Sequence, residues 1–593
     1  MKANELLLRF LIWRVRHVNT KNFVLFLSGV IGALSGIAAV TLKEAVHFIQ
    51  DFLTGGFDIG YANLLYLSYP LLGILITVFL TDYILREKNG HGISDTLYSI
   101  SKKSSLIRKR RMYSKMVTSA LTVGFGGSVG LESPIVVTGS AIGSNTGRMM
   151  HLNYKKRTLL IGCGAAGAIS AIFNSPIAGV IFSIEVMLAD VTFSGLIPLL
   201  ISSVSGSLVS LTLLGDDILF SFKLQESFRA EDTPLYILLG VVCGLTSVYF
   251  TRVMYRVENW VGKIKNHLSK AVLGGIGLGL IIFIFPPIYG EGYETIKDLL
   301  AGSSPRVLEK SLFFTHYFED NWLLVLFLVG VMLVKPVASA LTIAAGGSGG
   351  IFAPSLFLGG VTGFVFARVV GLTGIDSTIS LSNFTLVGMC GVMSGILHAP
   401  MTAIFLIAEV TGGYTLFVPL MLVSAIAFST ISYFEKYSLY TKNLVERGDL
   451  TYDRDRQVLS LIDLNKIIEK DLLIIDPEKS LGDLVKLVRL SKRNIFPVVN
   501  NGHELVGIIT LDDIREIMFD EDSRKNITVK SLMHSPPAYV SSHETMQSVM
   551  MKFEKSGAWN LPVIDDGEYI GFVSKSRIFN AYRKKLIRQN REF

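Results

Sequence analysis

The chain has 593 residues, a formal net charge of +8 and 50% hydrophobic residues, while only 18% of its residues are charged. Because a soluble chain of this size carries about 25% charged residues, the composition excludes an ordinary soluble protein and predicts a membrane protein. Basic residues cluster between Lys102 and Lys115 beside apolar segments. This placement favours a positive-inside membrane topology, with the lipid bilayer and no nucleic acid as the partner.

The first residues carry a basic amphipathic pattern, in which Arg9, Arg14 and Arg16 lie among apolar side chains. This pattern predicts an interfacial helix on the cytoplasmic face of the membrane for residues 1–22. Residues 23–440 contain recurring apolar segments, several of them shorter than the ~20 residues of a simple span. Glycine and proline interrupt these segments, so we predict an all-α polytopic membrane domain with broken helices packed inside protein.

Two glycine-rich turns in this domain are near copies of each other. Gly126–Pro134 has the sequence GGSVGLESP, and Gly346–Pro354 has the sequence GGSGGIFAP, 220 residues later (346 − 126). Each turn precedes an apolar run of helix-forming length. The first N–H groups of such a helix have no partner within the helix and can point at an anion. The paired turns therefore predict an anion site within the membrane.

A second pair of segments repeats with nearly the same spacing. Asn174–Val186 aligns with His398–Val410 at an offset of 224 residues (398 − 174). The two offsets indicate two homologous halves, at about 23–225 and 232–440. We expect the halves to be inverted relative to each other, because inversion brings broken helix ends together at the membrane midplane.

The hydropathy falls sharply near Tyr440. The charged segment 441–471 predicts a linker that leaves the membrane, and residues 472–593 have a soluble α/β pattern. This pattern occurs twice, at about 472–525 and 530–585. Because each unit is too small to bury a large core alone, we expect the two units to pack as one cytoplasmic domain.

The two soluble units share their strand and turn signals. Pro497 and Pro562 lie in predicted strands, and the dipeptides Asn501-Gly502 and Asp566-Gly567 follow them at the same offset of 65 residues (562 − 497). Both dipeptides are strong hairpin signals. Each unit is therefore predicted to consist of a helix, a β-hairpin and a second helix.

Four motifs in chain order resemble those of the CLC family of chloride channels and proton-coupled chloride antiporters. They are Gly90-His91-Gly92-Ile93, Gly130-Leu131-Glu132-Ser133-Pro134, Gly350-Ile351-Phe352-Ala353-Pro354 and Ser438-Leu439-Tyr440. The soluble region resembles the tandem CBS pair of many family members. The resemblance implies a CLC-like inverted repeat, and a homodimer in the cell membrane with the N-terminus and the CBS pair in the cytoplasm. It implies transport of chloride and related anions, with no enzymatic activity and no required cofactor.

The resemblance and the helix-start geometry together nominate the groups that bind the anion. N–H and hydroxyl donors replace the water shell of chloride without a full positive charge, which keeps binding weak enough for rapid exit. The nominated residues are Tyr440, Ile351, Phe352, Gly350, His91, Gly92 and Gly130.

Glu132 follows the first glycine turn, and an intramembrane carboxylate indicates a functional site by default. When ionised, this carboxylate can occupy an anion site and block the pathway; when protonated, it should leave. The simpler alternative is a carboxylate that only stabilises a helix N-terminus through the helix dipole. The motif favours the gate.

Two positions depart from the family pattern. His91 stands where the family commonly has a serine, and either its ring donates an N–H to the anion or it points away. Val186 stands where well-coupled antiporters often have an internal proton-transfer glutamate, and valine carries no proton. We therefore predict a passive chloride channel gated by Glu132, with a chloride/proton antiporter using the same glutamate as the alternative. For Glu185 and Glu409, the equivalent acidic residues of the two halves, we predict structural roles at helix ends.

In the soluble region, the segment Thr510-Leu511-Asp512-Asp513 resembles the one with which CBS units hold the ribose of an adenine nucleotide. The resemblance implies a nucleotide site at Thr510 and Asp513. The second unit has Arg577 in place of the acidic residue. Thr510 can equally act as an ordinary helix N-cap, and both interpretations stay open.

Two rival functions fit parts of the sequence. Gly126–Gly130 matches the G-x-S-x-G pattern of serine hydrolases, with His151 or His398 as the base. However, the segment before it has a helical pattern, and the turn recurs at Gly346–Gly350. A CBS-bearing cation transporter would need several converging intramembrane carboxylates, and Glu132 alone is well placed.

Overall fold

A computed structural model describes residues 9–11, 13–14, 16–54, 59–87, 92–188, 193–215, 227–301, 321–376, 378–449, 459 and 462–591. The chain forms two compact units, Met1–Leu450 and Thr451–Phe593. The described residues between 9 and 17 are helical, as predicted for the N-terminal segment. Residues 1–8 of that segment lie outside the described part of the chain.

The first half of the membrane unit is built from helices with short connections. These are α1 (Thr20–Thr54), α2 (Ile59–Phe79), α3 (Gly92–Lys102), α4 (Ser114–Gly124), α5 (Glu132–Met149), α6 (Tyr154–Phe173), α7 (Pro176–Phe182) and α8 (Phe193–Leu214). A π-helical turn, Ser183–Met187, extends α7. Helix α7 can begin at Pro176 because the missing N–H of proline is one that a helix start leaves unpaired.

The second half repeats this order. Its helices are α9 (Thr233–Gly262), α10 (His267–Ile284), α11 (Tyr293–Leu300), α12 (Asn321–Ala344), α13 (Phe352–Leu372), α14 (Leu381–Leu397), α15 (Pro400–Val410), α16 (Phe417–Phe434) and α17 (Lys442–Glu446). Among the described residues, nine helices are long and apolar enough to cross a membrane, while Pro176–Met187, Leu381–Leu397 and Pro400–Val410 are shorter. The prediction of an all-α membrane protein with broken helices is confirmed.

The two halves pack in the same way. Helix α5 packs on α6 and α1 packs on α8, just as α13 packs on α14 and α9 packs on α16. The α5–α6 contact needs glycine: a Cβ on Gly164 would lie 1.9 Å from the carbonyl oxygen of Gly139. The equivalent contact of Gly359 with the carbonyl oxygen of Gly388 would be 2.5 Å. Backbone-to-backbone approach of this kind is typical of helices packed within a membrane.

The soluble unit contains two β-hairpins. Ile495–Val499 (β1) pairs antiparallel with Leu505–Thr510 (β2), and Asn560–Asp565 (β3) pairs antiparallel with Glu568–Ser574 (β4). Its helices are α18 (Leu481–Leu490), α19 (Leu511–Ile514), α20 (Glu521–Asn526), α21 (Val529–Leu532), α22 (Met546–Ser556) and α23 (Lys575–Arg591). The two hairpins meet where the N–H of Tyr569 donates to the carbonyl oxygen of His503 at 2.9 Å. The predicted helix–hairpin–helix order is present in both repeats.

The predicted linker at 441–471 differs from the structure at both ends. Its start forms α17, whose Leu444 is buried in the core of the membrane unit. Its end lies in the soluble unit, where Leu464 and Ile467 are buried in the core of the second repeat. The average hydropathy of the segment conceals these few apolar side chains, because charged neighbours surround them in sequence.

Candidate functional site

The two glycine turns meet inside the membrane unit. Gly130 and Gly350 exchange two antiparallel backbone hydrogen bonds, of 2.9 Å from the Gly130 N–H and 2.8 Å from the Gly350 N–H. Each turn is also held by a threonine of the opposite half. The N–H of Ser128 donates to the Thr342 hydroxyl at 3.2 Å, and the N–H of Ser348 donates to the Thr122 hydroxyl at 3.0 Å. This antiparallel pairing is consistent with the expected inversion of the two halves.

Glu132 is the first residue of α5, and Phe352, in the matching position, is the first residue of α13. Both are buried. Glu132 Oε1 accepts a hydrogen bond from the Tyr293 hydroxyl. Within the described residues, Glu132 Oε2 is buried without a hydrogen-bond partner, although it lies close to the backbone of Ala353 at the start of α13. The carboxylate of Glu132 therefore stands between two helix N-termini, where the unpaired N–H groups favour a negative charge.

Tyr440 lies close to the same helix starts. Its side chain is buried, and among the described residues its hydroxyl has no hydrogen-bond partner. The Ser94 hydroxyl donates to the Tyr440 carbonyl oxygen at 2.7 Å and ties the segment to α3. A buried hydroxyl without a partner is costly unless a ligand or water satisfies it.

A cavity of about 200 Å³ connects these elements. Its lining includes Gly92, Ser133, Gly350, Ile351, Tyr440 and Glu258. The lining thus brings together predicted anion-site residues from three of the four motifs, and the second motif contributes Ser133, the neighbour of Glu132. Gly92 approaches α5 so closely that a Cβ on it would lie 2.4 Å from the Ser133 hydroxyl. His91 lies outside the described residues.

Val186 lies in the π-helical turn after α7 and packs, partly buried, against the core. Its neighbour Glu185 accepts hydrogen bonds from the backbone N–H groups of Met401 (3.1 Å) and Thr402 (2.8 Å), at the start of α15. In mirror fashion, Glu409 accepts hydrogen bonds from the N–H groups at the start of α7, both at 2.9 Å. Each half therefore supplies the carboxylate that caps a helix of the other half, in line with the predicted structural roles.

Three further polar residues beside Glu132 were not predicted. They are Glu291, Tyr293 and Lys335. Glu291 Oε1 accepts a hydrogen bond of 3.1 Å from the N–H of Leu131, and Lys335 is fully buried near the first glycine turn. Lys335 lies within the apolar helix α12, so a charged residue inside an apolar segment was the available signal.

The Ser128 hydroxyl donates to the Ile288 carbonyl oxygen at 2.7 Å and accepts from the Lys335 ammonium at 2.9 Å. The residues before this turn form helix α4 rather than a strand. The described partners of Ser128 are therefore those of a structural hydroxyl, and neither matches the base of a serine hydrolase.

In the soluble unit, Thr510 and Asp513 form a capping box at the start of α19. The Thr510 N–H and hydroxyl both donate to Asp513 Oδ2 at 2.7 Å, and His534 Nε2 lies 3.2 Å from the same oxygen. Burial acts in the opposite direction, but the hydrogen bonds from Thr510 and the nearby His534 lower the pKa of Asp513. The N-cap interpretation of Thr510 is confirmed, and it leaves Asp513 Oδ1 for any further ligand.

An inverted repeat of broken helices whose paired starts meet inside the bilayer defines a multi-pass membrane transport protein. Residues 72–432 match the family model described as voltage gated chloride channel, and residues 464–520 and 529–584 each match the CBS domain model. The chain therefore belongs to this family, the CLC family, and carries a tandem CBS pair.

Similar proteins and a similar solved structure support this assignment. "Chloride channel protein CLC-e" of Arabidopsis thaliana is 28% identical over 424 residues, which cover 66% of this chain and 57% of the relative. "H(+)/Cl(-) exchange transporter ClcA" of Vibrio campbellii is 26% identical over 415 residues, covering 68% of this chain and 84% of the relative. The crystal structure of a slow cyanobacterial Cl-/H+ antiporter superposes with a TM-score of 0.62 at 22% identity, covering 74% of this chain and all of that one. At 22% identity, this structural similarity shows a shared fold.

Proposed function

We propose that this protein exchanges chloride for protons across a membrane, and that Glu132 carries the proton. The single observation that carries the proposal is the position of the Glu132 carboxylate, buried between the starts of α5 and α13. The proposed anion ligands are the backbone N–H groups of Ile351 and Phe352 and the hydroxyl of Tyr440. The unpartnered Tyr440 hydroxyl supports this assignment, because it can donate to an anion without breaking a bond within the protein.

Exchange follows from competition for one position. The ionised carboxylate of Glu132 and a chloride ion are both anions, and both are stabilised by the same helix N-termini. Protonation removes the negative charge of Glu132, so the carboxylic acid gives way to chloride. When chloride leaves, the ionised side chain returns after releasing its proton to the other side. Proton release and chloride binding are coupled because the two anions exclude each other.

The comparisons favour exchange over the passive channel that Val186 indicated, since several relatives are named as H(+)/Cl(-) exchange transporters. A proton route that avoids Val186 is needed. The cavity that reaches Ser133 and Tyr440 has a volume of about 200 Å³, enough for several water molecules at about 30 Å³ each. We infer that protons reach Glu132 through water in this cavity, along the route of the anion.

The test is the reversal potential of the purified protein in liposomes under a pH gradient at a fixed chloride gradient. For one proton exchanged against n chloride ions, the reversal potential moves by about 59/(n + 1) mV per pH unit. We expect a clear shift for the native chain. Glu132→Gln should abolish this shift while chloride flux continues. Glu294→Gln, which changes an exposed glutamate of α11, is the matched control and should behave as the native chain.

A reversal potential set by chloride alone in the native chain would overturn the exchange proposal and restore the channel. If Glu132→Gln retained the shift, exchange would stand but Glu132 would not be the proton carrier.

We also propose that the protein is a homodimer in the cell membrane, with its N-terminus and CBS pair in the cytoplasm. Helices α7 and α15 are too short to span the bilayer, yet Ile177 and Met401 at their starts are exposed. The carboxylates of Glu409 and Glu185, which cap these helix starts, are costly in contact with lipid. A second copy of this face, which continues onto α8 and α16 through exposed residues such as Leu200 and Val418, would cover them.

For the CBS pair we propose an adenine nucleotide at Thr510 and Asp513. The support is the match to the CBS model, and the capping box holds both side chains at the end of β2. Titration calorimetry of the full chain with adenosine nucleotides tests the proposal. Binding that Asp513→Ala leaves unchanged would place the nucleotide elsewhere.

A further inference from the structure

A second carboxylate reaches the start of the gate helix. Glu291 lies in the turn between α10 and α11, and its Oε1 accepts a 3.1 Å hydrogen bond from the N–H of Leu131, the residue just before Glu132. The turn is fixed by its flanking glycines, Gly290 and Gly292, whose φ angles are 60° and 85°. A Cβ on Gly292 would lie 2.5 Å from the ring of Phe357. The backbone therefore holds Glu291 against α5.

The same turn also holds the gate side chain itself. Tyr293, two residues after Glu291, begins α11 and donates its hydroxyl hydrogen to Glu132 Oε1. One short segment thus contacts α5 twice, through the backbone before Glu132 and through the carboxylate of Glu132. These contacts join residues about 160 positions apart in the chain.

A buried positive charge completes the cluster. The Lys335 side chain is fully buried, and its ammonium donates to the Ser128 hydroxyl (2.9 Å) and to the carbonyl oxygen of Gly290 (3.3 Å), next to Glu291. Among the described residues, no carboxylate forms a direct ion pair with Lys335. A buried ammonium needs a compensating negative charge, and Glu291 is the acidic residue that acts on Lys335 electrostatically.

When both carboxylates are ionised, Glu132, Glu291 and Lys335 carry a net charge of −1, and one added proton neutralises these three groups. Two carboxylates close together in a site of low dielectric constant do not both ionise readily. Three other titratable groups interact electrostatically with these two carboxylates. Tyr293 interacts with both, the further ammonium of Lys43 on α1 interacts with Glu291, and Tyr440 interacts with Glu132.

We propose that Glu291 is a second proton-binding residue of the transport cycle, which shares one proton with Glu132 while the neighbouring Lys335 ammonium supplies a counter-charge. In the transfer step, the O–H bond of the Glu291 carboxylic acid breaks as an O–H bond forms on the Glu132 carboxylate, and the negative charge moves to Glu291. The proposal rests on the proposed function of Glu132 as the proton carrier.

The position of Glu291 also indicates the side from which its proton comes. Helix α10 begins after the basic residues Lys263 and Lys265 and runs for 18 residues, which is about 27 Å. The turn with Glu291 follows its far end. Glu291 therefore approaches α5 from the membrane face opposite this basic loop, whereas the cavity with Glu258 approaches from the face of the loop. Glu291 and the cavity would serve the two ends of the proton route.

The decisive variant is Glu291→Gln, which keeps a carbonyl oxygen for the Leu131 N–H but binds no proton. Chloride efflux and proton uptake are recorded together from liposomes that contain the full chain, at a series of pH values on each side. We expect proton flux to fall about tenfold and the pH midpoint of chloride flux to move down by on the order of one unit, because Glu132 loses a negative neighbour. Lys335→Met should move the midpoint up, because it removes a positive neighbour.

Glu294→Gln, exposed on α11, is the control for loss of one negative charge and should move neither quantity. Size-exclusion chromatography shows whether Lys335→Met remains folded, and Glu291→Gln decides the proposal if it does not. Proton flux and a pH profile of Glu291→Gln equal to those of the native chain would overturn it. If the native chain moves no protons, the exchange proposal fails by itself. A midpoint shift in Glu291→Gln would then still support proton sharing with the gate, and an unshifted midpoint would refute it.

Discussion

Glu409 and Glu185 join the two halves of the membrane unit by capping each other's broken helices. The Glu409 carboxylate accepts two hydrogen bonds of 2.9 Å from the N–H groups of Ile177 and Ala178. Glu185 accepts three, of which the one from the Thr402 hydroxyl is 2.6 Å long. Replacing either glutamate with alanine removes these acceptors and leaves helix N–H groups unpaired.

The magnitude follows from the number and burial of these bonds. A hydrogen bond to a charged group contributes about 1.5–3 kcal/mol, and a buried donor left unpaired costs about 1–3 kcal/mol. Ala178 is fully buried, and Ile177, although 37% exposed in the single chain, lies on the face proposed to contact a second copy, so neither N–H group gains a water partner. We therefore expect Glu409→Ala to lower the free energy of unfolding by about 2–4 kcal/mol. Glu185→Ala should lower it by about 1 kcal/mol more, because of the extra hydroxyl bond.

The assay is unfolding of the purified full chain in mixed micelles by titration with a denaturing detergent, followed by circular dichroism. Thr402→Val should destabilise the native chain by about 1 kcal/mol but should have no further effect in the Glu185→Ala background. The exposed Glu294→Ala is the control and should stay within about 0.5 kcal/mol of the native chain. A Glu409→Ala variant as stable as this control would refute the capping argument.

Four further predictions concern the site, the interface and the soluble unit. Tyr440→Phe removes a hydroxyl that has no partner among the described residues. Chloride affinity in liposome flux assays should therefore fall about fivefold, or about 1 kcal/mol, without loss of thermal stability. An unchanged affinity would show that Tyr440 does not bind the anion. Gly130→Ala would place a Cβ 2.0 Å from Glu132 Oε2, so the carboxylate should be displaced and chloride flux should lose its pH dependence; a native pH profile contradicts this. Met401→Trp should convert a dimer to a monomer on multi-angle light scattering, and an unchanged mass would argue against that interface. The pKa of Asp513 is lower in the folded protein than in the unfolded chain, so ionised Asp513 stabilises the folded soluble unit above the unfolded pKa near 4, and this contribution is lost as the pH falls through the folded pKa. Asp513→Asn should therefore weaken the acid dependence of hydrogen exchange around α19. An acid profile identical to that of the native chain would contradict the assignment.

The sequence alone predicted features that short segments specify. The glycine turns at Gly126 and Gly346 recur at a fixed offset, and they do begin helices α5 and α13 as the motif implies. The predicted hairpin at Asn501-Gly502 forms between β1 (Ile495–Val499) and β2 (Leu505–Thr510), because an Asn-Gly turn between apolar segments specifies a hairpin locally. The predicted linker at 441–471 was too long, because buried side chains such as Leu444 and Leu464 anchor its two ends in the folded units.

Only the tertiary structure decided what surrounds Glu132. Glu291, Tyr293 and Lys335 come from the other half of the chain, about 160 to 200 residues away, and no local pattern directs them to the gate helix. The same holds for Glu185 and Glu409, whose partners lie 216 to 232 residues away. Such contacts exist only because the two halves fold against each other in opposite directions, so that the helix starts of one half meet the side chains of the other.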